Sequence, residues 1–185
     1  MATAPVRKVP FPGESRLQPL YKSAYFIDAF AVTLPRQQAT TYKPHAVARA
    51  FFDNPPAWFS LLMWIRDHIM SIFGVKGSTQ IQAEAVKRGM DTVSVFPVIS
   101  STDKEIILGE DDSHLNFSIS IMIRDVEQPT STVKEDDEKE TELVSTTVVH
   151  CHGWLGRAYL AVIGPFHVFI VKYNLARLPG KIMKQ

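Results

Sequence analysis

The clearest secondary-structure signal in the chain is the stretch HLNFSISIMIR, residues 114–124. Every second residue from Leu115 to Ile123 is apolar, and the residues between them are mostly polar. Because successive side chains of a β strand point to opposite faces, this alternation predicts a strand with one buried and one polar face. Such a strand belongs to an antiparallel sheet whose apolar face is covered by another layer of structure.

Further strands are predicted on both sides of this one. Residues 93–99 and 104–109 are separated by a short polar turn, which is typical of a hairpin, and residues 143–151 are rich in Thr and Val. An earlier strand, residues 24–34, is apolar on both faces and should be covered on both sides. Residues 129–142 hold six acidic and two basic groups, which predicts a solvated hairpin tip.

The remaining segments show helical patterns. Pro44 opens a short helix, a second helix extends to about Phe73 with Gly74 as its stop, and residues 79–88 form a third. The chain closes with a helix from Leu155 to about Leu178, which Pro165 should bend. Its predicted sheet-facing side is Leu155, Tyr159, Val162, Phe166, Phe169, Ile170 and Tyr173. The opposite side is also apolar, so this helix needs cover on two sides.

This order of elements predicts an α+β fold: an antiparallel curved sheet with a long C-terminal helix packed across it. Residues 23–180 should form a single domain, since 185 residues with 45% apolar side chains can bury a full core. Residues 1–22 contain four prolines and no hydrophobic period, which predicts an extended N-terminal arm. Residues 129–142 are the acidic hairpin tip of the domain.

Two resemblances extend this prediction. The layout is similar to the helix-grip fold of the START and birch-pollen-allergen (SRPBCC) superfamily, which implies a cavity for apolar or amphipathic molecules between sheet and last helix. Individual motifs resemble a bacterial family known as domain of unknown function 2867, which implies no reaction and no catalytic residues. These motifs are AFF at 50–52, PPAW at 55–58, IRD at 65–67, FG at 73–74, LGEDD at 108–112, HLNF at 114–117, LGRAY at 155–159 and GPFH at 164–167.

Composition excludes several classes of function. The net charge is +1, from 20 basic and 19 acidic residues, with no basic stripe, so we expect no nucleic-acid partner. Charges interrupt the apolar segment 57–73, and the segment 158–171 is too short to span a bilayer, so we expect no membrane insertion. A single cysteine, Cys151, and the lack of an apolar leader behind the N-terminal basic residues predict a cytoplasmic location.

Polar and aromatic residues near the predicted cavity are the candidate ligand-binding residues. Asp28 lies between two phenylalanines on a strand face, where it is either ion-paired with Arg157, His150 or Arg124, or a general base. Glu110, Asp112 and His114 surround one turn, where carboxylates either contact a ligand or bond the local backbone. Tyr159 and Phe166 lie on the predicted sheet-facing side of the last helix, whereas His167 falls outside it.

The triplet His150-Cys151-His152 places two imidazoles on one face of a strand, as paired metal ligands would be. Two ligands do not complete a zinc site, and Cys151 points to the other face. We therefore expect no metal and no cofactor, and we keep His150 as a candidate for ligand binding.

Three hypotheses follow for the function. The first is a domain that binds a small apolar or amphipathic molecule between the sheet and the C-terminal helix. The second is an interaction domain whose apolar helix meets a partner or a second copy in a homodimer. The third is an enzyme of the cyclase or hydratase type, which requires two of Asp28, His114 and His150 at one cavity.

Overall fold

A computed structural model describes residues 4–35, 42–53, 55–71, 77–126 and 140–183. Its elements follow the predicted order, with one additional short strand and a 3₁₀ helix in the N-terminal arm. They are β1 (Arg7–Lys8), the 3₁₀ helix (Gln18–Ser23), β2 (Phe26–Thr33), α1 (Pro44–Phe52), α2 (Ala57–Ser71), α3 (Ser78–Lys87), β3 (Thr92–Val93), β4 (Phe96–Ser101), β5 (Glu105–Asp111), β6 (Leu115–Val126), β7 (Glu140–Cys151) and α4 (Gly153–Ile182).

The strands form one curved, open, antiparallel sheet in the order β1-β2-β7-β6-β5-β4-β3. The longest pairing joins β6 to β7, from Leu115 opposite Cys151 to Val126 opposite Glu140. The 30-residue helix α4 then packs back across one side of this sheet, together with α1. The predicted α+β class, with a curved antiparallel sheet and a long C-terminal helix across it, is confirmed.

The two faces of the sheet are covered by different parts of the chain. On the helix side, the main core joins strand residues such as Val32, Ile121 and Leu143 to Leu175 and Leu178 of α4. On the opposite side, which we call the arm side, the N-terminal arm lies along the sheet. Leu17 of the arm is buried against Ile107 and Val148, and Val9 contacts Ala29, Ala31 and Val144. Strand β2 is therefore covered on both sides, as its two apolar faces predict.

Three details differ from the sequence prediction. The predicted strand 93–99 is divided into β3 and β4 by a turn at Ser94, whose φ of 56° is rare for a residue other than glycine. The polar face of β6 is not exposed to solvent, because Ser118 and Ser120 are buried on the arm side of the sheet. Residues 140–142 of the predicted acidic tip are part of β7, where Glu142 is buried between Arg7 and Arg124. The rest of that tip and Gly74 lie outside the described residues.

A close contact fixes the start of α4 against the sheet. A Cβ atom added to Gly156 would lie 2.1 Å from the backbone oxygen of His114, so only glycine permits the helix to approach this closely. His114 also accepts a backbone hydrogen bond from His152, at 2.8 Å. The first turn of α4 is therefore held at the end of β6, and the rest of the helix extends over the sheet from there.

Candidate functional site

A cavity of about 220 Å³ lies between the helix side of the sheet and the helices. Strands β2, β6 and β7 contribute one wall, and α1, α2 and α4 contribute most of the other. Most of the lining is apolar, and it includes six phenylalanines: Phe26, Phe51, Phe52, Phe59, Phe96 and Phe117. The polar side chains in the lining are Arg66, Ser145, Thr147, Tyr159, His167 and Asn174.

Strand alternation explains which sheet residues reach this cavity. Leu115, Phe117 and Ile119 of the stretch 114–124 line it, at the alternating positions from which the apolar face was predicted. On β7, Ser145, Thr147 and Val149 line it at the same spacing of two residues. The β7 face is more polar than that of β6, so the cavity floor combines an apolar region with two hydroxyl groups.

The face of α4 that borders the cavity differs from the predicted one. Tyr159 and Ile170 line the cavity as expected, but Val162, Phe166 and Phe169 are exposed. His167, which the sequence pattern placed outside the sheet-facing side, lines the cavity. The predicted side was wrong here because the helix is apolar around its whole circumference, so periodicity could not identify the buried side. Phe166, 48% exposed, is therefore not a cavity residue.

A polar group of residues at one end of the cavity is centred on Tyr159. Its hydroxyl oxygen accepts a hydrogen bond from Arg66 Nε at 3.3 Å, and Arg66 is also paired with Asp67. The ring of Tyr159 packs edge-to-face against that of His114, with centroids 5.1 Å apart. This arrangement could contact a polar or anionic group of a bound molecule through Arg66.

His114 and Asp112 lie behind Tyr159 and do not line the cavity. The side chain of His114 is almost completely buried, with its Nδ1 atom 3.5 Å from Asp112 Oδ2. Burial lowers the pKa of the His114 imidazole, and the negative charge of Asp112 only partly opposes this. Asp112 Oδ1 accepts a hydrogen bond from the Ser113 amide at 2.7 Å, which is the local backbone contact expected of a structural turn.

A second group of polar residues, which includes Asp28, lies where β2 and β7 face α4. Its Oδ2 atom is 3.2 Å from Nε2 of His167, and Asp28 pairs with Thr147 across the strands. None of the three partners predicted for Asp28 is its ion-pair partner. Arg157 lies over the ring of Tyr25, Arg124 pairs with Glu142 and Glu14, and His150 contacts Ser23.

His150 lies on the arm side of the sheet, and neither His150 nor Glu110 lines the cavity. Both border a surface depression of about 290 Å³, where Glu110 is ion-paired with Arg88 at 3.0 Å. His150 Nε2 is 3.0 Å from Ser23 Oγ of the 3₁₀ helix. On β7, His150 is opposite in phase to the cavity residues, whereas Glu110 shares the phase of Ile106 and Leu108 and lies at the end of β5, beyond the cavity lining.

The three acid–base candidates do not meet at one point. His150 lies on the arm side, whereas Asp28 is on the helix side. Asp28 pairs with Thr147, and Leu115 pairs with Cys151 four residues further along β7. At about 3.3 Å per strand residue, His114 and Asp28 are roughly 13 Å apart along the sheet. The arrangement required for the cyclase or hydratase hypothesis is therefore not formed by these residues.

The residues of the triplet His150-Cys151-His152 have separate environments. Burial raises the pKa of the Cys151 thiol, which disfavours the reactive thiolate at neutral pH. His152 contacts Asp111 at 2.8 Å, and His150 contacts Ser23, so the two imidazoles have separate partners. Among the residues that the structure describes, no three His, Cys, Asp or Glu side chains are grouped as metal ligands.

Several cavity residues could not be recognised in the sequence. Arg66 and His167 stand in the motifs IRD and GPFH, which mark the family resemblance but carry no sign of a cavity position. Ser145 and Thr147 belong to a Thr/Val-rich strand and look like ordinary strand residues. The sequence did offer one indication that they face the core: Ser145 and Thr147 are on the same side of β7 as the apolar residues Leu143 and Val149, since residues two apart on a strand share a face.

Helix α4 is longer than the apolar segment 158–171 considered in the sequence, and its length and apolar composition are those of a possible membrane span. Among the described residues it is the one helix long and apolar enough to cross a membrane, judged by length and composition alone, and 17% of its most apolar window is buried. Its buried residues lie mainly in the C-terminal half, at Val171, Leu175, Leu178 and Ile182. The N-terminal half therefore presents apolar side chains both to the cavity and to the outside.

One of the comparisons with known proteins identifies a family. The model of the family described as "Protein of unknown function (DUF2867)" matches residues 20–174, which is well over half of the chain. No match is found among curated proteins or among solved structures. The matched range contains every strand of the sheet from β2 onward and all residues that line the cavity. The chain therefore belongs to the DUF2867 family.

Proposed function

We propose that this domain binds a small apolar or amphipathic molecule in the cavity between the sheet and helices α2 and α4. The observation that carries the proposal is the cavity itself, about 220 Å³ of space inside the sheet–helix interface. Protein interiors are normally close-packed, and voids larger than a water molecule are few. A partly open pocket of this size between sheet and helices, with a mostly phenylalanine and aliphatic lining, is suited to a small ligand.

The volume limits the size of the ligand. Cavities of about 150 Å³ accept benzene, and pockets for drug-sized molecules begin near 300 Å³. A cavity between these sizes suits a molecule of roughly ten non-hydrogen atoms. The two polar groups of residues, Arg66 with Tyr159 and Asp28 with His167, favour a molecule with a polar substituent over a pure hydrocarbon.

The helix-grip resemblance supports the same proposal. In that fold the last helix lies across a curved antiparallel sheet, and the ligand occupies the space between them. The first long strand of this chain, β2, pairs with the last, β7, and α4 follows directly. We propose on this basis that the chain shares the SRPBCC architecture and its use of the interior space.

Filling the cavity should prevent binding. Ile163 lines the cavity, whereas the adjacent Val162 is 65% exposed on the same helix. We expect Ile163→Phe to weaken binding of a small apolar probe such as 1-octanol at least tenfold in isothermal titration calorimetry. Val162→Phe adds an aromatic ring outside the cavity and should leave the affinity unchanged.

Native mass spectrometry of the freshly purified protein provides an independent measurement. A bound molecule of low mass should appear in the wild type and in Val162→Phe and be lost in Ile163→Phe. Equal probe affinity in all three proteins would mean that binding occurs elsewhere. No binding by the wild type would contradict the proposal directly.

A second candidate function is self-association through the outer face of α4. Trp154, Val162, Phe166 and Phe169 are between 48% and 74% exposed, which is unusual for such a set on a single helix. Two antiparallel copies of this face crossing near residue 163 would bring Lys172 of each towards Trp154 of the other. A lysine beside a tryptophan ring is a favourable contact, so the face is complementary to itself.

Sedimentation velocity tests this second function. The wild type should form a dimer at micromolar concentration, and Phe166→Glu should make it monomeric by placing a charge in the apolar contact. Phe11→Glu, also at an exposed aromatic residue but in the arm, is the matched control and should remain dimeric. A wild type that is monomeric at all concentrations would contradict self-association without affecting the cavity proposal.

A further inference from the structure

Four polar side chains on the helix side of the sheet lack the hydrogen bonds that buried groups normally make. They are Asp28, Ser145, Thr147 and His167, which we call the polar anchor. Within the part of the chain that the structure describes, both carboxylate oxygens of Asp28, the hydroxyls of Ser145 and Thr147, and Nε2 of His167 are buried without a hydrogen-bond partner. Buried polar groups are almost always hydrogen-bonded, so a cluster of unpartnered ones points to a missing partner.

Strand register explains why these groups share one location. Asp28 pairs with Thr147 across β2 and β7, and Phe30, two residues further along β2, pairs with Ser145. All lie on the helix side, because residues two apart on a strand share a face. His167 approaches from α4, with its Nε2 atom 3.2 Å from Asp28 Oδ2, which is an ion-pair distance without the angles of a hydrogen bond.

Three of the four side chains of the polar anchor line the cavity, and the fourth, Asp28, lies behind them. Ser145, Thr147 and His167 are all in the cavity lining, and Asp28 lies beside Thr147 with 6% of its side chain exposed. Phe26, Val149 and Ile170 of the surrounding lining have no hydrogen-bonding side-chain groups, and the other polar side chains in the lining are Arg66, Tyr159 and Asn174. A polar atom of a ligand is thus the partner that this group of residues can receive.

We propose that the polar anchor binds the hydroxyl group of the ligand, which makes the ligand class small apolar alcohols. This inference rests on the proposed function. The Asp28 carboxylate accepts hydrogen bonds and cannot donate them, so it selects a donor. Thr147 and Ser145 have hydroxyl groups, which can donate a hydrogen bond to a ligand oxygen and can also accept one. A neutral hydroxyl group is both donor and acceptor at one atom, and it satisfies Asp28 and Thr147 together.

Other polar groups fit the anchor less well. An ether or ketone oxygen could accept from Thr147 but would leave the carboxylate without a donor. A carboxylate or phosphate would place a second negative charge beside Asp28 in an apolar surrounding, where charge repulsion is strong. The chemistry of the anchor therefore distinguishes an alcohol from an apolar molecule of the same size without a hydroxyl.

Two isomeric probes test this distinction in the full chain. 1-Octanol and heptyl methyl ether have the same atoms and similar size, but only the alcohol can donate a hydrogen bond. We expect wild-type protein to bind the alcohol about tenfold more tightly in isothermal titration calorimetry, which is the usual effect of one well-formed buried hydrogen bond. Thr147→Val and Asp28→Asn should each reduce this preference to about threefold or less.

A matched control comes from the same strand. Thr146 is also buried with an unpartnered hydroxyl, but it pairs with Ala29 on the arm side of the sheet. Thr146→Val should therefore retain the wild-type preference for the alcohol. Circular dichroism of each variant verifies that it is folded, and Ser145→Ala is the substitute if Thr147→Val is not.

The possible outcomes separate this inference from the proposed function. If both probes bind with equal affinity to the wild type, or if Thr146→Val changes the preference as much as Thr147→Val, the polar anchor is overturned and the cavity proposal stands. If neither probe binds the wild type, the cavity proposal fails and the inference fails with it.

Discussion

Two buried carboxylates on opposite faces of the sheet have contrasting environments. On the arm side, Glu105 is the acceptor in three hydrogen bonds, from Ser15 Oγ at 2.6 Å, Ser120 Oγ at 2.5 Å and the Arg16 amide at 3.0 Å. On the helix side, Asp28 is equally buried but accepts none among the described residues. Its Oδ2 atom lies 3.2 Å from Nε2 of His167.

The same contrast holds for the two faces as a whole. The arm side also contains Glu142, which binds Arg7 at 2.7 Å and Arg124 at 2.7 Å, so its buried charges have complementary partners from the chain itself. Among the described residues, the helix side retains the cavity and the unpartnered groups of the polar anchor, whereas the arm side has the unpartnered hydroxyl of Thr146. A carboxylate fully satisfied by its own protein contributes to folding, whereas an unsatisfied one imposes a cost that a functional role can explain. The difference assigns a structural role to the arm side and the site to the helix side.

The largest expected effect is the loss of stability in Glu105→Gln. The carboxylate of Glu105 now accepts hydrogen bonds from three donors. In the glutamine side chain of the variant one oxygen is replaced by an NH₂ group, which cannot accept, so at least one of these donors would lose its partner. We expect the free energy of unfolding to fall by about 3 kcal/mol, since hydrogen bonds to buried charged groups are strong. Urea denaturation followed by circular dichroism measures this. A loss below about 0.5 kcal/mol, the size expected of a surface substitution, would remove the contrast between the two faces.

The strands and the fold class were predictable because their signals are local. The alternation in residues 114–124 and the apolar run 24–34 each specify a strand, and α1 begins at Pro44 as expected. The covering of β2 on both sides also followed from its two apolar faces. These predictions depend on neighbouring residues only, which is why the sequence contains them.

The site was less predictable because it depends on rotation and pairing. The face that α4 turns to the sheet is fixed by the contact of Gly156 with His114, which lies some forty residues earlier, and no periodicity in an all-apolar helix reports it. The prediction consequently placed Phe166 at the cavity and His167 outside it, whereas the structure shows the reverse. Asp28 was recognised as unusual from its position between phenylalanines, but its neighbours Thr147 and His167 come from β7 and α4. Partners so distant in sequence become neighbours only in the fold.

A smaller effect concerns pH and the end of the helix side near Tyr159. Because burial holds the pKa of His114 below its ordinary value of about 6.5, the folded protein binds this proton less readily than the unfolded chain. The stability that neutral His114 contributes is therefore complete above pH 6.5 and is lost as the pH falls below it. We expect the free energy of unfolding of the wild type to decrease between pH 7 and pH 5, and His114→Leu to show a shallower decrease.

The exposed His68, which stacks on Trp64, provides the control for this measurement. The variant His68→Gln should follow the wild-type profile, as measured by urea denaturation at each pH. A profile for His114→Leu that is parallel to the wild type would show that His114 is not protonated on unfolding and that other groups cause the acid sensitivity.

The smallest change in the free energy of unfolding is expected for Asp28→Asn, and its sign distinguishes a structural role from a binding role. This variant matches Glu105→Gln in chemistry, since each replaces a buried carboxylate by the amide of the same shape. Asp28 has no hydrogen bond to lose among the described residues, and removing a buried charge relieves its desolvation. We therefore expect the free energy of unfolding to stay constant or rise by about 1 kcal/mol. A protein that gains stability by losing a group is retaining that group for another purpose, and binding is the purpose that the adjacent cavity offers. A loss comparable to that of Glu105→Gln would instead mean that Asp28 is a structural ion-pair member, and the two faces of the sheet would no longer differ in kind.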